Sequence, residues 1–155
     1  MSVNPLNPLC DACTGPLNTD ARHRGTLAGT YRFPHDIMFA ATMRARSATP
    51  YNVNAGQDLN GDGFRIDLPP GIAHINSGRG SAFSQLDIRG SKNFQIQGAV
   101  GIEAIVEVFN LFNARNPAGY SGNLSSATFG QPSTFAGDPL QGEQRLAQVG
   151  VRIRS

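Results

Sequence analysis

Alternation of apolar and polar residues with a period of two dominates this sequence, whereas helical periodicity is almost absent. Gly or Pro interrupts most windows of twelve residues, which also disfavours helices. In the first alternating segment, Leu27 and Tyr31 fall on one face while Thr30 and Arg32 take the other. We therefore predict an all-β fold with about five long strands. The segments that carry the pattern are residues 22–33, 36–46, 84–94, 98–109 and 145–155.

The lengths of these segments and of their connections favour a membrane barrel. Each segment has 11 or 12 residues, whereas strands of soluble proteins have about 5–6 and tilted membrane-spanning strands about 9–11. Tight turns at residues 34–35 and 95–97 alternate with long connections, 47–83 and 110–144. Outer-membrane barrels combine short periplasmic turns with long extracellular loops, while compact soluble domains rarely contain loops beyond about 12–15 residues.

These connections predict an antiparallel meander that forms part of a transmembrane β-barrel. Its two long extracellular loops should lie at the same end of the sheet, opposite both tight turns. A soluble β-sandwich with two disordered insertions is the alternative architecture. Residues 1–21 are interpreted as a loop remnant or a disordered N-terminal segment.

The charged residues of the predicted strands lie on their polar faces, as a water-filled barrel lumen allows. Lys92 is the exception, and its position beside a tight turn lets its stem reach the membrane interface. If the third and fourth strands close around Ile96, Arg89 faces Glu103 across them. The predicted lumen charges include Asp87, Arg89, Glu103, Glu107, Arg152 and Arg154.

Composition and charge disfavour two classes of protein. The net charge is only +2 and the twelve Arg residues are scattered, so no basic stripe for nucleic acid is formed. The longest apolar run, residues 37–41, is far shorter than the roughly 18 residues that a membrane helix needs. Charged residues make up 15% of the chain, against about 25% in typical globular domains.

Five sequence elements follow one another in an order that resembles the end of one known protein family. Residues 106–113 read VEVFNLFN, and residues 123–139 read NLSSATFGQPSTFAGDP. Residues 47–67 and 76–94 resemble the penultimate long loop of that family and the strand after it, and residues 148–153 resemble its final strand. Together they are similar to TonB-dependent receptors, and closest to the group with an N-terminal carboxypeptidase-regulatory-like domain.

The resemblance implies a location in the cell outer membrane and a receptor that imports a scarce ligand, such as a metal chelate, an oligosaccharide or a peptide. Complete receptors have a plug domain and a barrel of about 22 strands. The expected partners are therefore outer-membrane lipid, the N-terminal barrel and plug of the same receptor, and the TonB complex through that plug. We expect a C-terminal fragment that does not transport alone. Family members usually end in an aromatic residue, where this sequence has Ser155.

One segment resembles a calcium loop. Residues 58–63, DLNGDG, supply oxygen ligands at positions 1, 3 and 5 and Gly at position 6. Position 12 is Pro69 instead of the bidentate Glu that closes such a site. Since Asn-Gly and Asp-Gly also mark tight turns, we interpret this segment as a turn.

The remaining candidate motifs also lack essential parts. Cys10 and Cys13 have neither a βαβ setting nor further zinc ligands, so a disulfide and a pair of idle thiols both stay open. Residues 78–80, GRG, lack the Lys and Ser/Thr of a phosphate-binding loop. Glu103 and Glu107 lie about 13 Å apart along a strand, too far for a glycosidase pair.

We therefore expect no enzyme, and no catalytic, cofactor-binding or metal-binding residues. The alternative function is a secreted, loop-rich β domain that binds calcium or carbohydrate through residues 47–80.

Overall fold

The structure is a computed structural model that describes residues 9–96, 100–137 and 144–154. This part of the chain is all-β, with one short 3₁₀ turn at Asp11–Cys13 and no α-helix. No helix in the described residues is long and apolar enough to cross a membrane. The strands are β1 Arg24–Phe33, β2 Ile37–Arg46, β3 Pro50–Tyr51, β4 Gly78–Arg79, β5 Phe83–Gln95, β6 Gly101–Phe109, β7 Pro117–Tyr120, β8 Pro132–Phe135 and β9 Leu146–Arg154.

The five long strands form one antiparallel sheet in the order β1-β2-β5-β6-β9. Their positions match the five alternating segments to within three residues at the ends that are described, so the prediction of an antiparallel meander is confirmed. The five strands do not close into a barrel. We call residues 24–46, 83–116 and 136–154, which form one compact unit, the sheet unit.

The two long connections leave and re-enter the sheet at the same end. Arg46 pairs with Phe83 at that end, and Phe109 pairs with Leu146. Short connections join the opposite ends of the strands, with Phe33 paired to Ile37 and Gln95 paired to Gly101. Residue 97 of the second predicted turn lies outside the described residues. The predicted alternation of tight turns and long connections is therefore present.

The predicted register of the hairpin β5–β6 is wrong by four residues, so that the centre of its turn moves by two. Arg89 faces Glu107, and Glu103 faces Asn93. The strand β5 continues to Gln95, and Ile96 then donates its N–H to the carbonyl of Val100, 3.0 Å away. The hairpin thus turns later than the sequence suggested. Since the shift is even, every side chain keeps its predicted face.

The long connections contain ordered structure. Residues 9–23, 47–82 and 117–135 form a second compact unit, which we call the loop unit. It contains two small antiparallel sheets, β3–β4 and β7–β8. Its buried residues include Val53, Asp67 and Leu68. The N-terminal part belongs to this unit, since the side-chain amide of Asn76 donates to the carbonyl of Pro16 over 2.8 Å.

Two tyrosine rings join the two loop segments of this unit. Tyr51 and Tyr120 stack with ring centroids 5.5 Å apart. The ring of Tyr51 covers Gly78 and that of Tyr120 covers Gly80, so closely that a Cβ on either glycine would lie within 3 Å of ring atoms. A larger residue at either glycine would therefore displace a ring.

Candidate functional site: the two faces of the sheet

One face of the sheet is apolar and exposed; we call it the apolar face. Residues of this face lie opposite one another on neighbouring strands, for example Leu27 opposite Met43 and Val106 opposite Val149. Val149 is 83% exposed and Leu27 is 74% exposed. Along the five strands, the only charge on this face is Lys92. Soluble proteins rarely expose an apolar surface of this extent.

The opposite face, the polar face, carries seven arginines and three carboxylates. The most buried of these carboxylates is that of Glu103 on β6, whose side chain is only 3% exposed. Its carboxylate is 2.9 Å from Arg154, 3.3 Å from Arg152 and 3.9 Å from Arg89. Buried charge is stable only when it is paired and hydrogen-bonded, and these contacts fulfil that condition. The ten charged residues are Arg24, Arg32, Arg44, Arg46, Asp87, Arg89, Glu103, Glu107, Arg152 and Arg154.

Two further groups of polar side chains continue the ion pairs across the sheet. Arg89 bridges to Glu107 over 2.9 Å, and Glu107 also accepts from the amide of Gln148. The carboxylates of Glu103 and Glu107, separated along β6, thus converge on one guanidinium. Nearer the long connections, Arg44 donates to Asp87 over 2.9 Å. The polar face is therefore an ordered network of hydrogen bonds.

A cavity on the polar face is lined by side chains from all five long strands. Its volume is about 150 Å³. In a flat sheet, the first and last of five strands stand about 19 Å apart, four spacings of roughly 4.8 Å. Arg32 on β1 and Arg154 on β9 line the same cavity because their long side chains extend over this face from the two edges. All the lining residues are Arg32, Asp36, Ile37, Met38, Asn93, Glu103 and Arg154.

Three asparagines order the chain after β6, and the sequence analysis did not single them out. Asn110, Asn113 and Asn116 all have positive φ, between 46° and 54°, a conformation that Asn tolerates better than most residues. The amide of Asn110 bonds both the N–H and the carbonyl of Ala114 at 2.9 Å. The amide of Asn116 bonds the N–H and the carbonyl of Ser84 in the same way.

These contacts give a physical role to the F-N-L-F-N motif. Asn110 donates its N–H to the carboxylate of Asp87 on β5, and Asn113 accepts from the N–H of Arg145, next to β9. The motif therefore links three neighbouring strands at the end of the sheet where the long connections begin. Closely spaced Asn residues after a strand were the signal available in the sequence.

The segment 58–63 is a turn held by its own side chains. The carboxylate of Asp58 accepts N–H groups from Gly61, Asp62 and Gly63 over 2.7–3.2 Å. These bonds, that of Gly63 first, hold the pKa of Asp58 below its ordinary value. The buried Asp67 accepts the N–H groups of Leu59 and Asn60 through one oxygen.

The other candidate motifs are also part of the loop unit. Cys10 and Cys13 form a disulfide, which decides between the two alternatives left open above. Gly78 and Arg79 form β4 and pair with β3. Within residues 9–96, 100–137 and 144–154, no cluster of three or more His, Cys, Asp or Glu side chains could hold a metal ion.

Comparisons of the chain with protein-family models, with curated protein sequences and with solved structures found no match.

Proposed function

We propose that this chain is the C-terminal part of the β-barrel wall of an outer-membrane receptor of the TonB-dependent type. In this reading the apolar face meets lipid and the polar face lines the lumen. The strands belong to a receptor that imports a scarce ligand. Transport would need the remaining strands and the plug of that receptor.

The observation that carries the proposal is the inverted distribution of burial over the sheet. Glu103 and Gln85 on the polar face of the inner strands are each 3% exposed, while Val106, on the apolar face of the same strand as Glu103, is 53% exposed. Fully burying a side chain such as valine contributes about 1.5–3 kcal/mol in water. A sheet that exposes many apolar side chains is more stable in lipid than in water, because contact with lipid does not carry the free-energy cost of exposing them to water.

Three geometric features add support. The five long strands have 9 to 13 residues, close to the length that spans a bilayer at a tilt. Arg32 and Arg154, from the first and last long strands, line one cavity on the polar face, as side chains that face a barrel lumen do. The alternation of tight turns with long connections matches the periplasmic and extracellular ends of such barrels.

The test uses a single tryptophan as a depth probe, because the chain contains no Trp of its own. Val149→Trp places the probe on the apolar face, and Gln148→Trp places it next door on the polar face. Each variant is refolded into phosphatidylcholine vesicles that carry bromine on the acyl chains. We expect strong quenching of the probe at 149 and weak quenching at 148, in chains that float with the vesicles.

Equal quenching at both positions would contradict the assignment of the two faces. A chain that stays in the aqueous fraction would contradict the membrane location itself.

One observation favours the alternative function of a secreted β domain. The loop unit has its own buried residues, such as Leu68 with 1% exposure, and its own disulfide, as small secreted domains do. That alternative requires a chain that is soluble without vesicles and binds calcium or an oligosaccharide through residues 47–80. The flotation experiment therefore separates the two functions directly.

A further inference from the structure

A groove interrupts the apolar face at Gly90. This glycine lies on β5 between Phe39 of β2 and Val106 of β6. Because it has no side chain, a space of about 240 Å³ opens there, lined by Ile37, Gly90, Ser91, Lys92 and Val106. A Cβ placed on Gly90 would meet no atom within 4 Å, so the groove is open to a ligand from outside.

The single cation of the apolar face lies at one end of this groove. Lys92 is two residues from Gly90 on the same strand and therefore roughly 7 Å away along it, toward the tight turn. The residues directly opposite Lys92, Ile37 and Ala104, are apolar. Its ammonium lies 5.1 Å from the centroid of the Phe94 ring. The groove thus joins an apolar trough to a positive charge.

We propose that this groove binds one phospholipid, with an acyl chain in the gap at Gly90 and an anionic headgroup on Lys92. The inference rests on the proposed function, in which this face meets lipid. An acyl chain fits a trough lined by Ile37 and Val106, since both surfaces are apolar. A phosphate fits an exposed ammonium whose neighbours across the sheet carry no charge. Because Lys92 is near the tight turn, the lipid would belong to the periplasmic leaflet.

Photo-crosslinking in vesicles tests this inference on the full chain. The vesicles consist of phosphatidylcholine with a trace of phosphatidylglycerol or phosphatidylcholine that carries a diazirine on its acyl chain. We expect crosslinks concentrated on Ile37 and Val106. One basic residue near a membrane surface corresponds to about a fivefold preference for anionic lipid, so phosphatidylglycerol should crosslink about five times more than phosphatidylcholine.

Two variants separate the roles of charge and groove. Lys92→Gln should abolish the preference for phosphatidylglycerol, while Lys92→Arg keeps it. Gly90→Leu fills the groove and should lower the crosslink at Val106 several-fold with both lipids. The matched control is Gly29→Leu, on the same face of β1, where a Cβ also meets no atom within 4 Å; it should leave the crosslink at Val106 unchanged.

The outcomes also distinguish this inference from the proposed function. Even labelling of the whole apolar face, or a preference for phosphatidylglycerol that survives Lys92→Gln, would overturn the phospholipid site alone. If Gly90→Leu fails to insert, the lysine variants still decide the question. A wild-type chain that does not float with the vesicles would overturn both the site and the membrane location.

Discussion

At the scale of single residues, Glu103 is the most deeply buried carboxylate of the polar face. Its side chain is 3% exposed, compared with 16% for Asp87 and 20% for Glu107. Three arginines lie within 3.9 Å of it, so its loss leaves them facing one another. Removing one partner of such a group costs more than the interaction itself contributes, because the remaining charges stay desolvated.

We expect Glu103→Gln to lower the free energy of unfolding by about 1–3 kcal/mol. Urea unfolding of the chain in detergent, followed by circular dichroism, measures this loss. The matched control is Glu107→Gln on the same strand, which removes a less buried carboxylate and should cost about 0.2–1 kcal/mol. An equal loss in the two variants would show that Glu103 is no more important than an ordinary exposed ion pair.

The lowered pKa of Asp58 predicts that the hydrogen bonds of the turn at residues 58–63 depend on pH. The N–H groups of Gly63, Gly61 and Asp62 hold the pKa of its carboxyl below the ordinary value of 3.8. A carboxyl whose pKa is lower in the folded state stabilises that state above its unfolded pKa, and the contribution is lost as pH falls through the folded pKa. The turn should therefore keep its hydrogen bonds at pH 4 and above, and lose them below the folded pKa.

The measurement is an NMR titration of the amide proton of Gly63. Its midpoint should lie below that of a short peptide with the sequence of residues 56–65. In Asp58→Asn, the titration of this amide should disappear. A midpoint at or above 3.8 would contradict the hydrogen bonds that the carboxylate accepts.

At the scale of elements, the five strands could be predicted because alternation is a local signal. Side chains at Leu27, Tyr31 and Phe33 repeat every second residue whatever the rest of the fold does. The register of β5 against β6 could not be predicted, since it depends on where the turn between the two strands closes. The sequence near Ile96 offers several turn positions that keep the same faces.

The fold of the loop unit could not be predicted for a different reason. Its stabilising contacts join residues far apart in the sequence, such as Tyr51 with Tyr120 and Asn54 with Asn123. No periodicity marks such pairs, and the abundance of Gly, Pro and Asn suggested irregular loops. The ion pairs of the polar face stand between these cases. Their residues were predicted, and so was the proximity of Arg89 to Glu103, which lie 3.9 Å apart. The contacts of Glu103 with Arg152 and Arg154 were not predicted.

The hydrogen bonds within the turn at residues 58–63 predict that it does not bind calcium. Asp58 uses both carboxylate oxygens for backbone N–H groups, and Asp62 accepts from Phe64 and from the amide of Asn60. Oxygens engaged in this way are not free to form a calcium shell of six to eight ligands. We expect calorimetric titration to show no calcium binding below millimolar concentration.

Calcium binding at residues 58–63 would contradict this prediction. Micromolar calcium binding that is lost in Asp62→Ala would identify the segment as a metal site. It would also favour the secreted β domain over the membrane barrel.

At the scale of the whole molecule, five strands leave two edges open. Among the described residues, each edge, on β1 and β9, carries N–H and C=O groups with no strand beside them. In lipid, an unsatisfied group of this kind costs several kcal/mol. Even small membrane barrels need eight strands to close. The chain alone should therefore aggregate or pair through its edges.

We expect the isolated chain to form oligomers in mild detergent and to give no reproducible solute flux in liposomes. Size-exclusion chromatography with light scattering and a solute-release assay measure these two properties. A monodisperse monomer with reproducible flux would mean that the chain is a small complete pore, and it would contradict the proposed part in a larger barrel.

The pairing at the base of each long connection has a consequence for how the sheet assembles. The N–H of Gly80 bonds the carbonyl of Thr49, and that of Ala136 bonds the carbonyl of Asn116. Once the bond between Gly80 and Thr49 has formed, the end of β2 at Arg46 and the start of β5 at Phe83 are each three residues away from it. Since the entropy lost on closing a loop grows with its length, β2 can then meet β5 nearly as a local hairpin would. A topology that looks non-local in sequence would thus have the low effective contact order of a fast-folding meander.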